Sequence, residues 1–75
     1  MPPDRLRGKV TVVLSGFSSW EILWSFLPGG WQARLCARAI VKDYNGKLPE
    51  KGIVLQIPDG RWYEILDVNG RVRET

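Results

Sequence analysis

Few side chains in this sequence could perform chemistry, and histidine is missing altogether. Without imidazole there is no Ser–His or Cys–His nucleophile, no histidine metal ligand and no imidazole acid–base catalyst. Cys36 is the single cysteine, so no internal disulfide can form. Neighbouring Arg34 and Arg38 can lower a thiol pKa, but no partner base accompanies them. We therefore expect Cys36 to behave as a small buried hydrophobic residue.

Carboxylates are the remaining candidates for catalysis or metal binding. Glu64 and Asp67 differ in parity along one predicted strand, so they should point to opposite faces. Asp43 and Asp67 each begin an Asp-x-Asn sequence, but glycine follows at the fourth position, whereas a calcium loop needs it at the sixth. No glycine-rich phosphate loop is present. The sequence predicts a protein that is not an enzyme and takes no cofactor, metal or small-molecule substrate.

Size and charge bound the remaining functions. With 75 residues, we expect a flexible basic arm at residues 1–8 and a single small domain at residues 9–75. Residues 1–42 hold six basic and two acidic side chains, or +4, while residues 43–75 hold five basic and six acidic, or −1. A basic half beside a nearly neutral half is compatible with a phosphate-bearing or acidic partner.

Hydrophobic alternation with a period of two predicts strands at residues 9–14, 52–57, 61–68 and 71–74. Pro58-Asp59-Gly60 predicts a turn, and Asn69-Gly70 predicts a type I′ hairpin. A helix is predicted over residues 19–27, where Ser18 and Glu21 have the spacing of a capping box and Phe17 can pack on Ile22 as a hydrophobic staple. One face of that helix carries Trp20, Leu23, Trp24 and Leu27.

The segment 31–42 fits both periodicities. As a strand, its odd-numbered positions from Trp31 to Val41 form an apolar face; as a helix, Trp31, Leu35, Cys36, Ala39 and Ile40 form a stripe. We favour the strand, because the alternation is continuous and no side-chain N-cap precedes the segment. The predicted fold is mainly β with one short helix, in the order β-α-β-β-β-β, as a small SH3-like or OB-like partly open barrel. The alternative is an α+β fold with residues 31–44 as a second helix.

Two surfaces could bind a partner. The first is aromatic: the helix has apolar residues on more than one side, since Ile22 and Phe26 lie off its main stripe, so part of it should remain exposed. The predicted protein-binding residues are Trp20, Trp24, Phe26 and Trp31. The second surface is basic, and its predicted nucleic-acid-binding residues are Arg34, Arg38, Lys42, Arg61, Tyr63, Arg71 and Arg73.

The sequence therefore predicts a small binding or adaptor module that engages a protein partner or itself as a homodimer through the aromatic helix. The alternative is binding of single-stranded DNA or RNA through the basic face. Residues 20–27, the longest apolar run, are too short for a membrane span, and residues 1–5 are followed by no apolar signal segment. With one cysteine and no expected disulfide, we expect a cytoplasmic protein.

Overall fold

The computed structural model describes residues 4–16 and 19–75, in which two helices cover one face of an open four-stranded sheet. A short 3₁₀ helix at Asp4–Leu6 precedes the other elements. These are β1 (Val10–Val13), α1 (Ser19–Trp24), α2 (Gly29–Asp43), β2 (Ile53–Gln56), β3 (Trp62–Ile65) and β4 (Val72–Glu74).

The sheet is mixed, with the strand order β1-β2-β3-β4. β1 is parallel to β2, with Val12 opposite Leu55, while β2–β3 and β3–β4 are antiparallel. The four strands agree in place with the predicted ones and are shorter by one to four residues. The predicted SH3-like or OB-like partly open barrel is not confirmed, because β1 and β4 form the two ends of an open sheet.

The prediction of a strand over residues 31–42 is wrong, and the alternative of a second helix is confirmed. Gly29–Asp43 is a 15-residue helix that buries Gln32, Ala33, Cys36, Ala37, Ile40 and Val41. These positions recur at three- and four-residue steps, which is the helical period. Alanine satisfies both periodicities, so the apparent alternation arose from alanines at odd positions. A parallel β1–β2 pair also needs a long crossover, and α2 supplies it.

α2 ends in a turn at residues 43–46. Asn45 has a left-handed φ of 62°, and the amide of Gly46 donates a hydrogen bond of 2.9 Å to the Val41 carbonyl. This is the Schellman arrangement, in which a left-handed residue lets the chain satisfy carbonyls at the helix end. The Asn-Gly pair therefore stops the helix rather than joining two strands.

The helices and the sheet enclose the main hydrophobic core. Ile53, Leu55 and Ile57 are almost completely buried there, next to the small side chains of α2. On the opposite face of the sheet, Leu6 is buried, and Glu64 lies between Lys9 and Arg73 with nitrogen–oxygen distances of 2.9 and 2.6 Å. These two cations hold the pKa of Glu64 below its usual value, mainly through the hydrogen bond from Lys9.

Aspartates organise both hairpin turns. Asp59 accepts the amide of Arg61, and Gly60 has a φ of 100°, as the predicted turn requires. In the second turn, Asp67 accepts the amides of Asn69 and Arg71 at 2.9 and 3.1 Å. Only Gly70 has a positive φ there, so the predicted type I′ turn, which needs positive φ at two residues, is wrong.

Predicted elements at two places lie outside this description. Phe17 and Ser18 are not among the described residues, so the hydrophobic staple and the Ser18 half of the capping box stay predictions.

Within residues 4–16 and 19–75, no helix has the length and apolar character that a bilayer crossing requires.

Gly70 should be the glycine least tolerant of a side chain, because it joins the β3–β4 turn to α2. A Cβ there would lie 2.9 Å from the Arg34 carbonyl oxygen, whereas a Cβ at Gly60 would meet nothing within 4 Å. Both residues have positive φ, so alanine at either position costs about 1–2 kcal/mol. Gly70→Ala should lose a further ~1–3 kcal/mol through the close contact. Urea unfolding of both variants measures the loss in the free energy of unfolding. Equal losses would contradict the close contact between Gly70 and α2.

Candidate interaction surface

The outward side of α1 and of the turn that follows it exposes three large apolar side chains. Ile22, Leu23 and Phe26 are 55%, 61% and 78% exposed. We call these three residues the α1 apolar patch. All three lie within residues 22–26. α1 itself has only six residues, and it continues as two turns, in which the Ser25 amide donates to the Ile22 carbonyl and the Leu27 amide donates to the Trp24 carbonyl. A cluster of exposed large apolar side chains is typical of a binding surface, whereas apolar side chains scattered singly over a surface are ordinary.

The opposite side of α1 holds it against the core. Trp20 and Trp24 are half-buried, pack against the core and meet edge to face with ring centroids 6.0 Å apart. Glu21 lies between them in sequence and is 5% exposed, and its carboxylate accepts the Gly16 amide at 2.9 Å. The burial of Glu21 turns this side of the helix inward.

The four predicted protein-binding aromatics therefore fall into two groups. Phe26 and Trp31 are exposed, whereas Trp20 and Trp24 mainly fill the space between α1 and the core. Leu23 was expected on the inward stripe, but it lies in the exposed patch. No sequence signal identifies this, because a glutamate is ordinarily exposed and only the structure shows that Glu21 is buried, with the inward face turned away from Leu23.

The exposed side of α2 carries a row of cations. Arg34, Arg38 and Lys42 are all exposed and follow at four-residue intervals, so each lies about 6 Å further along the axis. We call these three residues the basic ridge. None of them makes an ion pair with a residue that the structure describes. The Arg34 guanidinium lies 4.8 Å from the centroid of the Trp31 ring, a cation–π distance.

Two of the remaining predicted nucleic-acid contacts, Arg61 and Arg73, are engaged in ion pairs away from this ridge. Arg61 is paired with Asp59 at 2.6 Å in the β2–β3 turn. Arg73 is paired with Glu64, on the sheet face that α2 does not cover. Arg61 is therefore largely neutralised locally, whereas Arg73 shares the single carboxylate of Glu64 with Lys9, and that cluster keeps one net positive charge.

The other two predicted contacts differ from each other. The ring of Tyr63 is buried in the core, so it offers no open face for stacking, and this burial raises the pKa of its hydroxyl. Arg71 is exposed beside the β3–β4 turn. Because Arg71 follows Gly70, which lies against Arg34 and Arg38 of α2, the structure brings Arg71 near the basic ridge of Arg34, Arg38 and Lys42. Tyr63 lines a small cavity together with Arg34, but its ring is buried.

A shallow groove runs along α2 and reaches α1 at Trp24. Its volume is about 640 Å³, and its lining consists of Trp24, Leu35, Arg38, Ala39, Val41, Lys42, Asn45, Gly46 and Val68. We call it the α2 groove. Two members of the basic ridge belong to it, and no carboxylate does. The groove therefore combines apolar surface with positive charge alone.

Known proteins give no guide to the use of these surfaces. No family model, curated protein or solved structure matches the chain. Its function is therefore inferred from its own residues and geometry.

Cys36 has no surface from which to react. Its side chain is completely buried, and burial together with the nearby Glu21 charge raises the pKa of its thiol to about 11. Among the described residues, no group of three or more cysteine and carboxylate side chains lies close enough to hold a metal ion. The expected behaviour of Cys36 as a buried hydrophobic residue is confirmed.

We expect the Cys36 thiol to react with a disulfide reagent at pH ~7.5 only when the protein opens. In the folded protein the thiol is inaccessible and, with its pKa raised to about 11 by burial, almost entirely protonated, so reaction waits for an opening that exposes it. The comparison is Lys51→Cys in a Cys36→Ala background, since position 51 is exposed. Cys36 should react at least about 100-fold more slowly, as a folded state several kcal/mol below the open one requires. Similar rates would contradict the buried position.

Proposed function

We propose that this chain is a non-catalytic binding module that engages a partner protein through the α1 apolar patch, with Trp31 as a further anchor. The observation that carries the proposal is the exposure of Ile22, Leu23 and Phe26, each more than half open to solvent. Binding of a partner over a cluster of exposed large apolar side chains is favourable, because it removes apolar surface from water. The proposal includes the cytoplasm as location, supported by a single, buried thiol.

The absence of catalytic function in this proposal is supported by what the reactive groups do. Cys36 is buried with a raised pKa, and Glu64 and Asp59 are engaged by neighbouring cations. Glu21 is buried beneath α1, where it binds the Gly16 amide. Each of these groups has a structural task. Glu64 lines an open cavity of about 350 Å³ together with Glu74, and there it is held by Lys9 and Arg73.

The test compares two substitutions of matched exposure. Leu23→Ser removes an apolar side chain from the patch, while Val13→Ser removes one of almost equal exposure, 60% against 61%, from the uncovered face of the sheet. Tagged wild-type and variant proteins capture partners from a lysate, and bound proteins are quantified by mass spectrometry. Leu23→Ser and Phe26→Ser should weaken capture by roughly 30-fold, the effect of losing about 2 kcal/mol at a binding hot spot.

The control and the alternative partner are part of the same experiment. Val13→Ser should retain the captured proteins, and urea unfolding should show that the patch variants remain folded. Sedimentation of wild type over a range of concentrations shows whether the partner is a second copy. Capture that is unchanged by both patch substitutions, with no self-association that they abolish, would contradict the proposal.

The basic ridge favours a second candidate function, binding of single-stranded DNA or RNA. Arg34, Arg38 and Lys42 are unpaired with any described residue, and each cation that neutralises a phosphate releases counterions. Trp31 lies against Arg34 and is exposed, so a base could stack on it.

This second candidate predicts a salt-dependent complex. Tryptophan fluorescence titrated with a random 20-nucleotide strand should show binding at about 50 mM salt that weakens by ~10-fold or more at about 200 mM. Arg34→Glu should abolish the complex, while Lys51→Glu, an equal charge change in an exposed loop, should weaken it only slightly. No fluorescence change at the lower salt concentration would reject nucleic-acid binding.

A further inference from the structure

The α1 apolar patch is too small to be a whole interface. Three side chains of this size at these exposures offer only a few hundred Å². A stable protein complex covers about 800 Å² on each partner. A partner that covers the patch must therefore also cover neighbouring surface. The α2 groove is the adjoining surface, because Trp24 belongs to α1 and also lines this groove.

The α2 groove has room for several side chains. Its volume of about 640 Å³ is roughly four times that of a 150 Å³ cavity that accepts a benzene ring. Trp24, Leu35, Ala39 and Val68 provide apolar lining. A segment that places apolar side chains against these residues would remove their surface from water, as amphipathic helices do in hydrophobic grooves.

The charge around the groove selects the chemistry of that segment. Arg38 and Lys42 are unpaired within the described residues, and the sequence contains no carboxylate from residue 22 to residue 42. Carboxylates on a partner could pair with Arg38 and Lys42, and the only carboxylate of α2 that would repel them is that of Asp43. The face therefore complements an acidic segment.

The same features disfavour the other occupants. A second copy that met this face symmetrically would bring Arg38 and Lys42 against their own counterparts. A nucleic-acid backbone would lie along the cations but would leave the apolar lining of the groove uncovered. A planar lipid surface fills a concave groove poorly.

We infer that the α2 groove binds an acidic amphipathic segment of a partner protein, with apolar side chains against Leu35 and Ala39 and carboxylates on Arg38 and Lys42. This inference rests on the proposed function, because it names the partner's chemistry for the surface that includes α1. The acidic carboxylates set the orientation and the rate of association, and the apolar contacts provide most of the affinity.

The experiment titrates this protein into fluorescently labelled 18-residue peptides and follows their anisotropy. The first probe has leucine at helical positions i, i+3, i+4 and i+7 and glutamate at most other positions. The second replaces every glutamate with lysine, and the third keeps glutamate but replaces every leucine with serine. The first probe should bind at least ~10-fold more tightly than either of the others, and its affinity should fall by a similar factor between about 50 and 200 mM salt.

Two variants locate the binding to the groove. Lys42→Glu should weaken the complex with the first probe by at least ~10-fold, whereas Lys51→Glu makes the same charge change at an exposed position outside the groove and should leave it nearly unchanged. Leu35→Ser tests the apolar contact and should also weaken binding. Urea unfolding confirms that each variant is folded at the temperature of the titration.

Three results with the peptide probes would each overturn the inference. They are no binding of the first probe up to about 1 mM, equal binding of the acidic and basic probes, and equal sensitivity to Lys42→Glu and Lys51→Glu. Tighter binding of a 20-nucleotide strand or of anionic lipid vesicles than of the acidic probe would also overturn it. If capture of a partner still depends on Leu23 and Phe26, the proposed function stands and only the acidic class of partner is wrong.

Discussion

The parallel pairing of β1 with β2 is the constraint on which the rest of this structure depends. Parallel neighbours cannot be joined by a tight turn, so the chain must return across the sheet between Val13 and Ile53. The returning segment contains α2, whose small buried residues let it pack on the core that β2 and β3 also line, with β4 as the strand that it approaches most closely. With α2 in this place, α1 can bury only its Trp20, Glu21 and Trp24 side, and its other side faces solvent.

Local signals in the sequence predicted much of this fold. The strands, the Pro58-Asp59-Gly60 turn and the first helix depend on neighbouring residues, and all three were found close to their predicted positions. The second helix was predicted only as the alternative to a strand, because Ala33, Ala37 and Ala39 are apolar in either periodicity. Only the long-range pairing of β1 with β2 decides between them, and no local pattern reveals that pairing.

The candidate surface was predicted in part for similar reasons. Exposure of Phe26 and Ile22 followed from their positions off the main helical stripe, but exposure of Leu23 followed from the burial of a carboxylate. The cations show the same limit. Sequence counting treats Arg73 and Arg38 alike, yet the sheet register brings Glu64 to Arg73, whereas Arg38 of α2 has no ion pair with a described residue. The net charge of a segment therefore says little about how much of it remains free to attract a partner.

The sheet register also has a consequence for synthesis of the chain. Val10 pairs with Ile53, so more than forty residues separate the partners of the parallel pair, while β2, β3 and β4 follow one another through short turns. A ribosome makes the amino-terminal end first, so β1 leaves the exit tunnel long before its partner strand exists. Until β2 appears, Val10 and Val12 have no sheet to join, and the newborn chain exposes them together with the outer side of α1. The fold is therefore completed only after β2, β3 and β4 have been synthesised. A chain halted before residue 53 would keep these apolar side chains exposed and would be prone to aggregate.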